Sequence, residues 1–125
     1  MTTKSILVVD DNPENLKLIL VILAASGFEL TTASNAIEAQ HLIQQRPPDL
    51  VLLDLQLPGM DGLELTRRLK AEPETRGIPI VAVTAYAMKG DENKARSAGC
   101  DDYLVKPVDK RVLRAVVKRY LEPSA

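Results

Sequence analysis

The apolar positions of this chain fall into short unbroken runs, separated by longer stretches where they recur every three or four residues. Ser5-Ile-Leu-Val-Val9, Leu50-Val-Leu-Leu-Asp54 and Ile78 to Thr84 are apolar at nearly every position, as strands covered on both faces are. Leu30 to Ala33 and Tyr103 to Val105 are shorter runs of the same kind. Between the runs the period changes to that of a helix. Leu16, Ile19, Leu20 and Leu23 mark a first helix, which Pro13 opens and Gly27 ends. Asn35 and Glu38 have capping-box spacing for a second, running to about Arg46, where Pro47-Pro48 breaks it. Leu63, Leu65 and Leu69 mark a third helix, and a largely polar fourth spans Lys89 to Ala98 and stops at Gly99. Asp109 caps the last helix, with Val108 and Leu113 placed as a hydrophobic staple. Five strand–helix units in alternation predict an α/β domain. Its parallel sheet is covered on both faces through right-handed crossovers.

In such a sheet the polar residues that end the apolar runs collect along one edge, and ligands bind beyond those carboxyl ends. Asp10 and Asp11 end the first run, Asp54 the third, Thr84 the fourth and Lys106 the fifth. Unrelated caps and turns do not account for this agreement between separate loops. Three neighbouring carboxylates repel one another unless a cation joins them. Mg²⁺ suits an oxygen-only donor set with few protein ligands. A closed Ca²⁺ cage needs more ligands, and no His or Cys cluster favours zinc. An aspartate carboxylate can also attack phosphorus and form an acyl phosphate. Asp54, at the head of a loop, is the natural nucleophile. Lys106 would neutralise one phosphoryl oxygen, and the Thr84 hydroxyl would donate to another.

Composition narrows the class. With 125 residues, 46% of them hydrophobic, the chain suits one domain, residues 1–125, with a substantial core. Sixteen basic against seventeen acidic side chains argue against a dedicated nucleic-acid surface. No apolar run approaches the roughly 20 residues that span a bilayer. Lys4 leads at once into a strand, so no signal peptide is expected. A single cysteine, Cys100, excludes an internal disulfide and favours a cytoplasmic setting.

Four motifs carry a family resemblance across essentially the whole chain. They are Val9-Asp10-Asp11-Asn12, Leu53-Asp54-Leu55-Gln56-Leu57-Pro58-Gly59-Met60-Asp61-Gly62, Val83-Thr84-Ala85 and Asp102-Tyr103-Leu104-Val105-Lys106-Pro107. The chain resembles the CheY-like receiver domains of bacterial two-component response regulators, in the stand-alone form without an effector domain. The resemblance implies a flavodoxin-like (βα)5 fold with strand order 2-1-3-4-5. It implies phosphorylation of Asp54 by a phosphohistidine donor. Mg²⁺ would be held by Asp11, Asp54 and the backbone carbonyl of Gln56, with Asp10 acting through water. It further implies a cis peptide bond between Lys106 and Pro107. Thr84 and Tyr103 would act as the switch pair, whose movement shifts the population of surface conformations. Gln56 and Tyr86 occupy the positions that tune acyl-phosphate lifetime in this family. The ring of Tyr86 leads us to expect slow self-hydrolysis.

Partners follow from the same resemblance: a histidine kinase or histidine phosphotransferase as donor, and a protein target downstream. No nucleic acid or membrane is expected, and the chain should be a monomer or weak dimer. In the first helix Leu18, Ile22 and Ala25 lie opposite the core stripe. Leu18 and Ile22 are the expected anchors for the donor. The basic residues of the last helix, Lys110, Arg111, Arg114, Lys118 and Arg119, read as a solvated face. Receivers that dimerise through this region tend to place a Glu and an Arg there, and this sequence departs from that pattern, which argues against the salt-bridged dimer. His41 reads as a surface residue and Cys100 as a small, partly buried one.

Three other functions are weaker. A receiver domain cut from a hybrid histidine kinase would share every motif. An aspartyl-phosphate phosphohydrolase usually needs a second Asp two residues after its nucleophile, where this chain has Gln56. A flavin-binding electron carrier needs a hydroxyl-rich phosphate loop, and Asp10-Asp11 would repel that phosphate.

Overall fold

The computed structural model describes residues 3–55, 62–85 and 91–121. Five strands form one sheet: β1 (Ser5–Val9), β2 (Glu29–Ala33), β3 (Leu50–Asp54), β4 (Ile80–Thr84) and β5 (Asp102–Val105). Between and after them run α1 (Pro13–Leu23), α2 (Ala36–Gln45), α3 (Gly62–Ala71), α4 (Asp91–Ala98) and α5 (Lys110–Leu121). The spatial order is β2-β1-β3-β4-β5, and every neighbouring pair is parallel. This is the flavodoxin-like arrangement, with its change of direction beside β1.

The unbroken apolar runs are explained by pleating. Successive side chains of a strand point to opposite faces. Leu7, Val9, Val51, Leu53, Ile80 and Ala82 pack on one face with residues of α2, α3 and α4, among them Ile43, Leu65 and Ala95. Ile6, Val8, Leu50, Leu52, Val81 and Val83 pack on the other with Ile19 and Leu23 of α1 and Leu113 and Val117 of α5. Leu50, Leu52, Leu53, Leu65 and Leu113 are all at most 1% exposed. Burial of each contributes about 1.5–3 kcal/mol.

The helix ends follow local chemistry. The Asn12 side chain accepts from the Glu14 and Asn15 amides and leads into Pro13 at the first helical position. A short 3-10 turn, Ala24–Ser26, continues α1 to Gly27, whose φ of 80° is costly for a side-chain-bearing residue. Asn35 accepts from the Glu38 amide at 2.8 Å. The Glu38 carboxylate reaches the Ser34 amide at 3.2 Å, one residue earlier than the reciprocal capping box would have it. Asp109 caps α5 by accepting from the Arg111 and Val112 amides.

The structure departs from the sequence reading in four places, the smallest being β5, which begins at Asp102 rather than Tyr103. β4 begins at Ile80 rather than Ile78, because the Ile78 amide is held in a turn by Thr75 and Pro79 has no amide hydrogen to give a ladder. β2 begins at Glu29, whose amide donates to Lys4. The last difference bears on function. Ile22 is 6% exposed and packs in the layer beneath α1 and α5, so it does not lie on the outer stripe. α5 lies across that side of α1, and the Arg114 guanidinium donates to the Ile22 carbonyl. The exposed apolar residues of α1 are Leu18 and Val21.

Candidate active site

Strand register sets the site. Val9 stands beside Leu53, and Asp54 beside Val83, so the ends of β1, β3 and β4 are level. Thr84 pairs with Val105, and Lys106 follows at once. In pleat alternation Asp10 follows Val8 and Asp54 follows Leu52, so both emerge on the α1–α5 side. Thr84 belongs with Ala82 on the opposite side. Tyr103 pairs with Ala82 and packs, partly buried, against that same layer. The two residues of the expected switch pair thus lie on one sheet face in adjacent strands.

The Lys106 ammonium donates to Asp10 at 2.8 Å and to Asp54 at 3.0 Å. Asp10 also accepts from the Asn12 amide at 2.9 Å, which ties the acidic loop to the cap of α1. Both carboxylates and Thr84 are buried, whereas Asp11 is exposed. Burial pulls the Lys106 pKa down, but its hydrogen bonds to Asp10 and Asp54 and their charges outweigh that and hold it above the ordinary lysine value. The Lys106 amide donates to the Thr84 carbonyl at 2.7 Å, which anchors the base of the lysine loop to β4. The Lys106–Pro107 peptide bond is cis.

Carboxylate oxygens of Asp10, Asp11 and Asp54 lie within 4.8 Å of one another. Among the described residues one ammonium stands among three carboxylates, so negative charge is in excess. The donors are hard oxygens, two buried and one open to water. That set fits Mg²⁺, which binds through one or two carboxylates and keeps several waters. A hollow of about 520 Å³ between α2 and α3, lined by Gln40, Ile43, Arg68, Leu69 and Thr75 among others, includes none of these residues.

Asp10, Asp11, Asp54, Thr84 and Lys106 are therefore brought to one edge, as the apolar runs predict. Gln56 and Tyr86 lie outside the described residues, as do Gly59, Met60 and Asp61. His41 is exposed, and Cys100 is more deeply buried than expected at 6% exposure. Two features escaped the sequence reading. Val21, not Ile22, completes the outer apolar stripe of α1. Gly62 packs against the backbone of Asp54 and Leu55. A glycine directly ahead of a helical period was the only signal for the second.

Comparison with known proteins agrees with this geometry. Residues 6–118 match the model of the response regulator receiver domain. The chain is 44% identical over 119 residues to the polar-differentiation response regulator DivK of Brucella ovis, covering 95% of this chain and 97% of that protein. A putative response regulator from Chloroflexus aurantiacus superposes with a TM-score of 0.92 at 32% identity, covering 96% of this chain and 98% of the other. The receiver domain of a sensor histidine kinase from Pseudomonas aeruginosa PAO1 superposes with a TM-score of 0.87 at 34% identity, covering 95% and 98%. That structure has a magnesium ion coordinated in its active site cleft. Fold, acidic edge and family match converge, and the chain belongs to the response regulator receiver domains.

Proposed function

We propose that this receiver domain is a phosphorylation switch or phosphorelay intermediate. Asp54 would accept a phosphoryl group from the phosphohistidine of a histidine kinase or histidine phosphotransferase. The observation that carries the reading is the Asp54 carboxylate, buried at the end of β3, bonded to Lys106 and grouped with Asp10 and Asp11.

Asp10, Asp11 and Asp54 would hold Mg²⁺, with the Gln56 carbonyl as a further ligand. Bound there, the ion supplies charge neutralisation for carboxylate and phosphoryl oxygens. A carboxylate oxygen of Asp54 forms the new bond to phosphorus while the bond from phosphorus to the donor imidazole breaks, and that imidazole, already protonated on its other ring nitrogen, keeps the bond's electron pair and leaves neutral. Lys106 is already within hydrogen-bond reach of Asp54 and stabilises charge on the phosphoryl oxygens. Thr84 ends the neighbouring strand and offers its hydroxyl to another of those oxygens. Phosphorylation adds charge and acceptor oxygens at the sheet edge. Thr84 and Tyr103, on one face of adjacent strands, transmit that change to the surface around β5. Gln56 and Tyr86 set how long the acyl phosphate lasts.

Partners follow from the exposed surface. The donor docks on α1 through Leu18 and Val21, and the output is contact with another protein. Among the described residues no helix is long and apolar enough to cross a membrane. A cytoplasmic location suits a domain served by a phosphohistidine donor.

The test is incubation with acetyl phosphate and Mg²⁺, read by intact mass. The native chain should gain one phosphoryl group, and Asp54→Ala none. A native chain that stays unmodified, and whose amide spectrum does not move with beryllium fluoride, overturns the reading.

A further inference from the structure

Gly62 begins α3. Its amide donates to the Leu55 carbonyl at 3.1 Å, one residue past Asp54. A Cβ built on Gly62 would stand 2.6 Å from the Asp54 carbonyl oxygen, 2.6 Å from the Leu55 Cα and 3.2 Å from the Leu55 carbonyl carbon. All three neighbours are backbone atoms, so no flexible side chain can swing away. The φ of Gly62 is not in the left-handed region, where the structure places Gly27 and Gly99. Backbone conformation therefore does not call for glycine here, and alanine is the better helix former. What calls for glycine is the distance to Asp54.

A second contact holds the same joint. The Thr66 hydroxyl, fully buried, donates to the Gly62 carbonyl at 2.8 Å. The same hydroxyl lies 3.7 Å from the Cys100 sulfur. The first turn of α3 is thus pinned from below while its bare Cα rests on the end of β3.

The geometry points to Gly62 as a positioning residue for Asp54, rigidly seating the phosphoacceptor strand end against α3, with Thr66 as its brace. This rests on Asp54 being the phosphoacceptor. Asp54 is held by Lys106 at 3.0 Å and shares its cluster with Asp10 and Asp11. A methyl group at position 62 must open the β3–α3 joint by the better part of an ångström and carry the carboxylate off its line. Misplacement on that scale costs about a hundredfold in rate where geometry governs reaction.

The experiment follows phosphorylation of the full chain by acetyl phosphate at saturating Mg²⁺, well below the melting temperature of each variant. Gly62→Ala should react about tenfold to a hundredfold more slowly than native. Gly77→Ala is the control, since nothing lies within 4 Å of a Cβ there, and it should keep the native rate. A role confined to stability would lower the melting temperature and leave the rate unchanged. Thr66→Val should show a smaller slowing, which Thr66→Ser restores. This pair decides the matter if Gly62→Ala does not fold, and Thr66→Val reacting at the native rate would then overturn the proposal. A folded Gly62→Ala that reacts as fast as native overturns it while Asp54 remains the acceptor. A native chain that takes no phosphoryl group overturns the functional reading and this inference together.

Discussion

Lys106 reaches two of the three carboxylates at the sheet edge, Asp10 and Asp54, and not Asp11. Without a divalent ion Asp11 adds like charge to a cluster in which one ammonium already serves two partners. Repulsion at such distances near a surface is worth about 1 kcal/mol once solvent screening is allowed for. Asp11→Asn should therefore melt higher than native in the presence of a chelator, by roughly 4 °C for a domain of this size. Mg²⁺ should then raise the melting temperature of native protein more than that of the variant, because binding to the folded state adds stability by mass action. Thermal unfolding with chelator and with Mg²⁺ checks both halves. An Asp11→Asn protein that melts lower in chelator would show that Asp11 has a stabilising partner instead. The site residues were legible because each is the polar stop of an apolar run, a local feature. Which carboxylate the lysine serves was not, since its partners lie 96 and 52 residues away.

At the scale of elements, α1 shows where periodicity loses its power. Residues 18–23 read Leu-Ile-Leu-Val-Ile-Leu, apolar throughout, so the pattern carries little phase. α5 lying against α1 decides the faces: Ile19, Ile22 and Leu23 are buried, while Leu18 and Val21 stay 44% and 65% exposed. If α1 docks the phosphohistidine donor as proposed, Leu18→Ala and Val21→Ala should each slow phosphotransfer from that donor by about tenfold. Neither should change the rate with acetyl phosphate. Equal slowing with both donors would place these residues in the chemistry or the fold, not in docking. Ile22→Ala should instead cost stability as a core truncation, about 2–5 kcal/mol. In α5 the basic residues are exposed, as the solvated face predicts, while Leu113, Val116, Val117 and Leu121 are buried.

At the scale of the whole molecule, the raised pKa of a cysteine, a tyrosine and a lysine among the described residues shapes the response to alkali. Burial pushes the Cys100 thiol up against a weaker pull from Thr66, and burial with the Asp101 and Asp102 charges raises the Tyr120 phenol. Lys106 is raised by its two carboxylates against the opposing effect of burial. Each native group keeps its proton to a higher pH than in the unfolded chain. The folded state then holds more protons, and stability falls as pH rises. These contributions are complete at neutral pH and begin to be lost above about pH 8.5, where an unfolded cysteine ionises, with tyrosine and lysine following above about pH 10. The urea midpoint should fall steadily from pH 8 to pH 10.5. Cys100→Ala should be less stable at neutral pH but show a flatter fall in the first part of that range. A midpoint unchanged up to pH 10 would contradict the burial of Cys100.

By itself the sequence determined the alternation of strands and helices, the two-sided cover of the sheet and the identity of the polar residues at its edge. Those properties depend on neighbours a few residues apart: a run apolar at every position suits a strand packed on both faces, and its polar end must lie where the packing stops. Periodicity left the neighbour order of the strands open, and only resemblance to a family supplied it. Tertiary structure alone decided the register that levels Asp54 with Asp10, the pairing of Lys106, the buried face of α1 and the need for a bare Cα at Gly62. Each of these is a distance between segments remote in the chain, set by how whole elements pack rather than by the residues on either side.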